Sequence, residues 1–466
     1  MDTTATATNA WLDPADINAS LDRNAKEDIG RIREILDKSR ELKGLDQNDV
    51  AALATVRSPE LIEQLFATAK YVKEEIYGRR MVFFAPMYVS NQCANECLYC
   101  AFRASNRDLI RHTLTREEII RETEVLIDQG HKRVLLVAGE SYPGGLKYVL
   151  DAIETIYSVK KRGGEIRRIN VNLAPLDVDQ FRSLHEIGIG TFQLFQETYD
   201  RDVYAAVHTG GRKADFDWRC SALDRAMQAG IDDVGMGVLF GLADWRFEIL
   251  ALMRHIAHLE DRFGVGSHTI SVPRLEPASG SDMASAPPCP VSDDDFKKIV
   301  AILRLAVPYT GLIMSTRENA KMRQETYALG VSQISAGSRT NPGGYAADEQ
   351  FDASQFQLGD HRTLEEVVRD IASMGYIPSF CTACYRLGRT GEDFMDLAKV
   401  GDIKAKCAPN AIGTFLEYLT DYASSETAEA GLRAIEEEIE GMGPREQKVS
   451  RTLMKQIRAG KRDVFC

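Results

Sequence analysis

From Val82 to Gly337 the chain repeats one rhythm, a short apolar run followed by an amphipathic stretch. The apolar runs are VFFAPMYVS (82–90), RVLLVA (133–138), RRINVNL (167–173), TFQLFQ (191–196), DVGMGVLF (233–240), HTISVP (268–273), LIMST (312–316) and SQISAG (332–337). Each is the length of a strand, and segments such as TREEIIRETEVLIDQG and DDDFKKIVAILRLA between them carry helical periodicity. Eight strand-then-helix units in about 260 residues predict an α/β fold of the (β/α)8 TIM-barrel type. A doubly wound open sheet is the alternative, and the count of eight favours closure. In either case chemistry is expected at the carboxyl ends of the strands and in the loops that follow.

The flanks break the rhythm. Residues 1–78 read as an N-terminal helical extension, with a helix opened by the cap Ser58 and by Pro59 in its first turn. The barrel is expected over 79–345. Residues 346–466 are polar and then mainly helical, and are expected to form a separate C-terminal lobe. A formal net charge of −12 argues against a nucleic-acid backbone as partner. No apolar run is long enough to span a membrane, and the polar start has no secretory or transit pattern. A cytoplasmic location is therefore expected. Nine cysteines in a reducing compartment point to metal rather than to disulfides. Six of them fall in two tight groups, and Cys220, Cys289 and Cys466 stand apart as structural or incidental thiols.

The first group, NQCANECLYCAF, directly follows the first apolar run. Three residues separate Cys93 from Cys97, and two separate Cys97 from Cys100. Thiolates are soft ligands suited to iron–sulfur clusters, and three of them leave one iron of a 4Fe–4S cubane open. A structural zinc site would want a fourth protein ligand and a closed cluster a fourth cysteine; the loop offers no histidine. The spacing, its place after the first strand and Tyr99 before the third cysteine resemble the radical S-adenosylmethionine (SAM) superfamily. That resemblance implies a 4Fe–4S cluster whose open iron is chelated by SAM. Gly139-Glu140 resembles the superfamily's segment for the methionine amine, though by itself the pair is an ordinary turn. Gly235, Gly237 and Gly241 either admit adenine close to the backbone or relieve packing inside the barrel.

Three further segments, FQLFQETYD (192–200), HTGGRKADFDWR (208–219) and SQISAGSRTNPGGY (332–345), resemble the radical SAM tyrosine lyases. This family includes the 2-iminoacetate synthases of thiazole biosynthesis and the [FeFe]-hydrogenase maturases. The resemblance implies L-tyrosine as substrate, Glu197 and Arg219 as candidate SAM contacts, and Ser335 and Arg339 as substrate contacts, the arginine fork matching a carboxylate. The tail SFCTACYRLGRTGEDFMDLAKVGDIKAKCAPNA carries Cys381, Cys384 and Cys407, which resemble the auxiliary-cluster motif of the maturases. A zinc ribbon is the plainer reading of the triplet, and Cys466 remains open as a fourth ligand. Arg386, Arg389 and Lys399 either balance the cluster's charge or face solvent.

Maturase resemblance further implies a labile fifth iron at the auxiliary cluster, held partly by His268 and by free cysteine. Without it, a histidine at a strand start is a packed polar residue. The activity so implied needs an external electron donor and converts tyrosine to p-cresol and dehydroglycine. The latter becomes carbon monoxide and cyanide in an iron unit handed to a hydrogenase maturation scaffold protein. Two other readings stay open: a thiazole-pathway lyase, and a non-catalytic iron–sulfur carrier.

Overall fold

All eight apolar runs are strands, and every one is parallel to its neighbours. The structure is a computed structural model and describes residues 9–141, 143–347, 353–388, 391 and 402–466. The barrel strands are β1 (Arg80–Ser90), β2 (Arg133–Ala138), β5 (Arg168–Asn172), β6 (Phe192–Glu197), β7 (Val234–Val238), β8 (Thr269–Ser271), β9 (Gly311–Met314) and β10 (Val331–Ser335). A small hairpin, β3 (Lys160–Lys161) and β4 (Gly164–Glu165), interrupts the chain between β2 and β5. The sheet runs β1-β2-β5-β6-β7-β8-β9-β10 and closes where Val82, Phe83 and Phe84 of β1 pair with Gln333, Ile334 and Ser335 of β10. This closure removes the open-sheet alternative. Strands covered on both faces read as unbroken apolar runs, as in RVLLVA, where all six residues are buried.

The glycines of β7 serve packing. A Cβ on Gly235 would lie 2.5 Å from Thr269 Oγ1, and one on Gly237 would lie 2.8 Å from the Ser271 carbonyl oxygen. Protein atoms, rather than a ligand, claim that space.

A ninth strand, β11 (Ile377–Ser379), joins the same sheet. Val82 pairs with Gln333 on one side and with Ser379 on the other, so β11 lies on the edge of β1 that β2 uses further along. Residues Arg80–Val82 pair with β11, and Ala85–Ser90 with β2. Phe380 then stacks between Phe83 of the barrel and Tyr418, at ring-centroid distances of 5.5 and 4.8 Å. The C-terminal region expected to be a separate lobe is thus stitched into the barrel sheet across the 345/346 boundary. Its helix Asp402–Asp421 packs on β11, and on the N-terminal helix Pro59–Tyr77, which begins at Ser58 and Pro59 as expected. Leu61, Leu65, Val72 and Ile76 bury the inner face of that N-terminal helix. Among the described residues no helix is long and apolar enough to cross a membrane.

Candidate active site at two mouths of one barrel

The carboxyl ends of the strands form an upper mouth and their amino ends a lower one. Eleven residues of β1 at about 3.3 Å each, tilted by about 36°, set the two mouths roughly 25–30 Å apart.

At the upper mouth the loop after β1 carries Cys93, Cys97 and Cys100 into a cavity of about 180 Å³. The loop is held by the segment that follows the helix Arg201–Val207, which runs antiparallel to it. Leu98 N donates to the Val207 carbonyl (3.0 Å), and Glu96 N to that of Gly210 (2.9 Å). Gly211, at φ +79°, sits where a Cβ would be 2.3 Å from Asn95 Oδ1, so this close approach requires glycine.

Four charged side chains, three of them buried and Glu140 partly so, stand beside the cysteines. Arg219 Nη1 lies 2.9 Å from Glu140 Oε1, and its Nε donates to the Phe195 carbonyl (2.8 Å). Lys213 Nζ is 2.6 Å from Glu197 Oε1, and Arg219 Nη2 is 3.7 Å from the same oxygen. Asn95 ties this quartet to the cysteine loop, donating to Glu140 Oε2 (2.7 Å) and accepting from Lys213 N (3.0 Å). Burial alone would raise both carboxyls, but Arg219 and Lys213 hold them below the usual carboxylate range. Glu197 ends β6 at φ +73°, a left-handed conformation unusual for glutamate and typical of functional positions.

Tyr99 lines the same cavity, and its hydroxyl is 2.8 Å from His208 Nε2. Burial and the nearby Lys213 and Arg219 keep His208 neutral. Its Nδ1 lies 3.0 Å from the Tyr204 carbonyl, so Nδ1 carries the proton and Nε2 accepts from Tyr99.

The sequence-predicted Tyr99, Glu140, Glu197, Arg219 and Ser335 all line this cavity. Arg339 is not on the cavity wall; its guanidinium donates to the Ser338 carbonyl (3.1 Å) and its backbone amide to Tyr345 Oη (3.3 Å). Arg317, three residues beyond β9, occupies the wall instead and stacks on Phe356 at 3.3 Å. Glu276, after β8, also faces the cavity; burial and the neighbouring Glu318 push its carboxyl up to about 7. Lys213, Arg317 and Glu276 were missed in the sequence, although each follows a strand on the carboxyl side, where barrel chemistry gathers.

The lower mouth holds a smaller cavity, about 50 Å³, lined by Cys381, Cys384 and Cys407 together with His268, Arg80, Arg133 and Tyr385. Cys381 follows β11, so the inserted strand places this triplet under the barrel. Arg133 Nη2 donates to the Cys381 carbonyl (3.0 Å), and Arg168 stacks on Tyr385 at 3.1 Å. His268 Nδ1 is 3.8 Å from Asp233 Oδ1, and burial lowers its pKa. The sequence placed His268 near this triplet only by resemblance; the structure brings them to one cavity. Cys466 is exposed, its Sγ 3.9 Å from the Lys406 carbonyl, and it is not on the cavity wall. Arg386 is engaged by Asp463 and the ring of Phe465, while Arg389 and Lys399 lie outside the described residues.

The donor sets fit the groups that the sequence implied. Among the described residues no three His, Cys, Asp or Glu side chains converge on one metal ion. In both places the thiols stand round a cavity, with buried cations close by to balance thiolate and sulfide charge. Burial pushes the Cys100 thiol up to about 11, a group that a bound metal would hold as thiolate.

A parallel (β/α)8 barrel with a three-cysteine loop after its first strand and a charged cavity beside it defines a radical SAM enzyme. Residues 87–253 match the radical SAM superfamily, and residues 271–377 the biotin and thiamin synthesis associated domain. The 2-iminoacetate synthases of Salmonella typhimurium and Escherichia coli are 32% and 31% identical over 351 residues, covering 75% of this chain and 90% of each relative. A crystal structure of HydG, described as a maturase of the [FeFe]-hydrogenase, superposes with a TM-score of 0.95 at 46% identity, over 98% of this chain and 100% of that one. HydG from Carboxydothermus hydrogenoformans gives 0.82 at 41% identity, over 96% and 97%. The chain belongs to the radical SAM family of HydG-like maturases and 2-iminoacetate synthases. Radical SAM membership implies a 4Fe–4S cluster and SAM at the upper mouth.

Proposed function

We propose that this chain cleaves L-tyrosine between Cα and Cβ at the upper mouth, giving p-cresol and dehydroglycine, and converts the latter to carbon monoxide and cyanide at the lower mouth. The observation that carries the reading is the second triplet, Cys381, Cys384 and Cys407, gathered with His268 in a cavity at the opposite end of the same barrel.

Cys93, Cys97 and Cys100 would hold the SAM-binding cluster, which, when reduced by an external donor, would pass one electron to SAM and so release methionine and a 5′-deoxyadenosyl radical. The paired charges Glu140, Glu197, Lys213 and Arg219 meet the amine, carboxylate and ribose hydroxyls of SAM. Arg317 offers the tyrosine carboxylate a guanidinium inside the cavity, with Ser335 beside it. Walls such as Phe84, Leu135, Val137 and Leu239 exclude water and stray hydrogen donors. The lower cavity is the smaller of the two and gathers three thiols with His268. There Cys381, Cys384 and Cys407 would hold the auxiliary cluster, while His268 and free cysteine would hold the iron that leaves as cargo. An iron–carbonyl–cyanide unit is then passed to a hydrogenase maturation scaffold protein. A cytosolic setting agrees with nine cysteines of which none forms a disulfide.

The identity to 2-iminoacetate synthases favours a second reading, in which the barrel makes dehydroglycine for thiazole and stops there. Anaerobic reconstituted protein given SAM, dithionite and tyrosine decides between them. The proposal expects p-cresol together with carbon monoxide and cyanide. Glyoxylate and p-cresol without carbon monoxide would support the thiazole reading, and absence of p-cresol would overturn both.

A further inference from the structure

The segment from Ala353 to Asp360 crosses the upper mouth and touches three loops around it. Gln355 N donates to the Thr340 carbonyl (3.0 Å), the Gln355 carbonyl accepts from Ala101 N (3.4 Å), and Gln357 N donates to the Pro277 carbonyl (2.8 Å). The ring of Phe356 lies under Arg317. Gln355 is thus held on both sides, with its side chain in the cavity beside the cysteine loop.

Its amide spans two groups. Tyr88 donates its hydroxyl to Gln355 Oε1 (2.7 Å), and Gln355 Nε2 lies 3.8 Å from Cys100 Sγ. The orientation follows from chemistry. The reverse placement would set a carbonyl oxygen against a sulfur that is negative whenever metal is bound, while the NH2 end meets it as a donor. Phe102 N also faces Cys100 Sγ, at 3.4 Å. Among the described residues, Gln355 supplies the side-chain N–H to a sulfur of this triplet.

Hydrogen bonds to cluster sulfurs stabilise the more electron-rich reduced state and raise the reduction potential. We propose that Gln355, oriented by Tyr88, is a positioning residue that donates to the Cys100 thiolate and sets how readily the upper cluster accepts its electron. The proposal rests on the radical SAM reading of the first triplet. It adds a residue about 255 positions away, outside the cysteine loop, that controls the initiating electron transfer.

The test is an EPR-monitored redox titration of the reconstituted full-length protein, with iron and sulfide content measured on each sample. Gln355→Leu removes the donor and should shift the upper cluster's midpoint to more negative potential. Gln355→Glu adds a carboxylate and should shift it further in the same direction. Tyr88→Phe leaves Gln355 in place but frees its amide, and should give a smaller negative shift. Tyr88→Phe keeps the proposal testable should the Gln355 variants lose cluster. Wild-type midpoints in Gln355→Leu or Tyr88→Phe at full cluster content would overturn the proposal. So would a positive shift in Gln355→Glu. A wild-type protein that binds no reducible cluster at the upper triplet would overturn both this proposal and the radical SAM reading beneath it.

Discussion

The upper and lower mouths each present three cysteines, yet what stands behind the sulfurs differs. Above, about 180 Å³ is bordered by two acids and two bases already paired with one another, with Arg317 and Glu276 across the cavity. Below, about 50 Å³ is bordered by Arg80, Arg133 and His268, with no carboxylate among the described residues of the wall. Balanced charges suit large zwitterionic molecules such as SAM and an amino acid, whose own charges can replace each partner in turn. Cations around a small cavity suit an anionic cluster and small anions. One barrel therefore offers two mouths that differ in both size and charge.

Cysteine variants break the comparison most sharply. Cys97→Ala should abolish p-cresol and carbon monoxide together, whereas Cys384→Ala and His268→Ala should leave p-cresol and remove carbon monoxide. Product analysis by chromatography and by carbon monoxide capture on haemoglobin separates these outcomes. If p-cresol also vanished in folded Cys384→Ala, the two mouths would not divide the work.

Lys213→Met leaves Glu197 buried without its closest cation. Losing one partner of such a pair costs about 3–5 kcal/mol, so chemical denaturation of the apoprotein should show a loss of that order. An unchanged midpoint would mean that Arg219 alone satisfies both acids. Arg317→Ala forfeits a charge-assisted contact of about 1.5–3 kcal/mol, and KM for tyrosine should rise about 10- to 100-fold. The same measurement on Arg339→Ala should show little change, which ranks the two arginines directly.

The smallest effect concerns Glu276. Below about pH 7 its carboxyl is neutral; above that it gains a negative charge near Arg317 and competes with the substrate carboxylate. KM for tyrosine should therefore rise roughly two- to fivefold as pH passes 7, and Glu276→Gln should flatten that rise. A wild-type pH profile in Glu276→Gln would remove Glu276 from substrate binding.

The eight barrel strands were legible because parallel strands buried on both faces leave continuous apolar runs, and RVLLVA needed no other clue. Ile377–Ser379 was not, since three residues with a central Pro378 carry no period. Both cysteine triplets showed in their spacing. Lys213 looked like any loop lysine; its pairing depends on Glu197, sixteen residues earlier at the end of β6, which the fold of the intervening helix brings to it. Arg317 was not singled out, and Arg339 was named because its segment resembles the tyrosine lyases. Four residues of loop were enough to turn its side chain to the Ser338 carbonyl instead.

The strand Ile377–Ser379 also makes the C-terminal region hard to trim. It completes the hydrogen-bond ladder that Arg80, Met81 and Val82 begin. A shortened chain ending before it would bare a stretch of β-edge beside the apolar ring of Phe83, an invitation to self-association. Any lineage shedding the lower cysteines must therefore keep or replace a short strand there. Trimming the C-terminal region is thus constrained by solubility as well as by the lower triplet it carries.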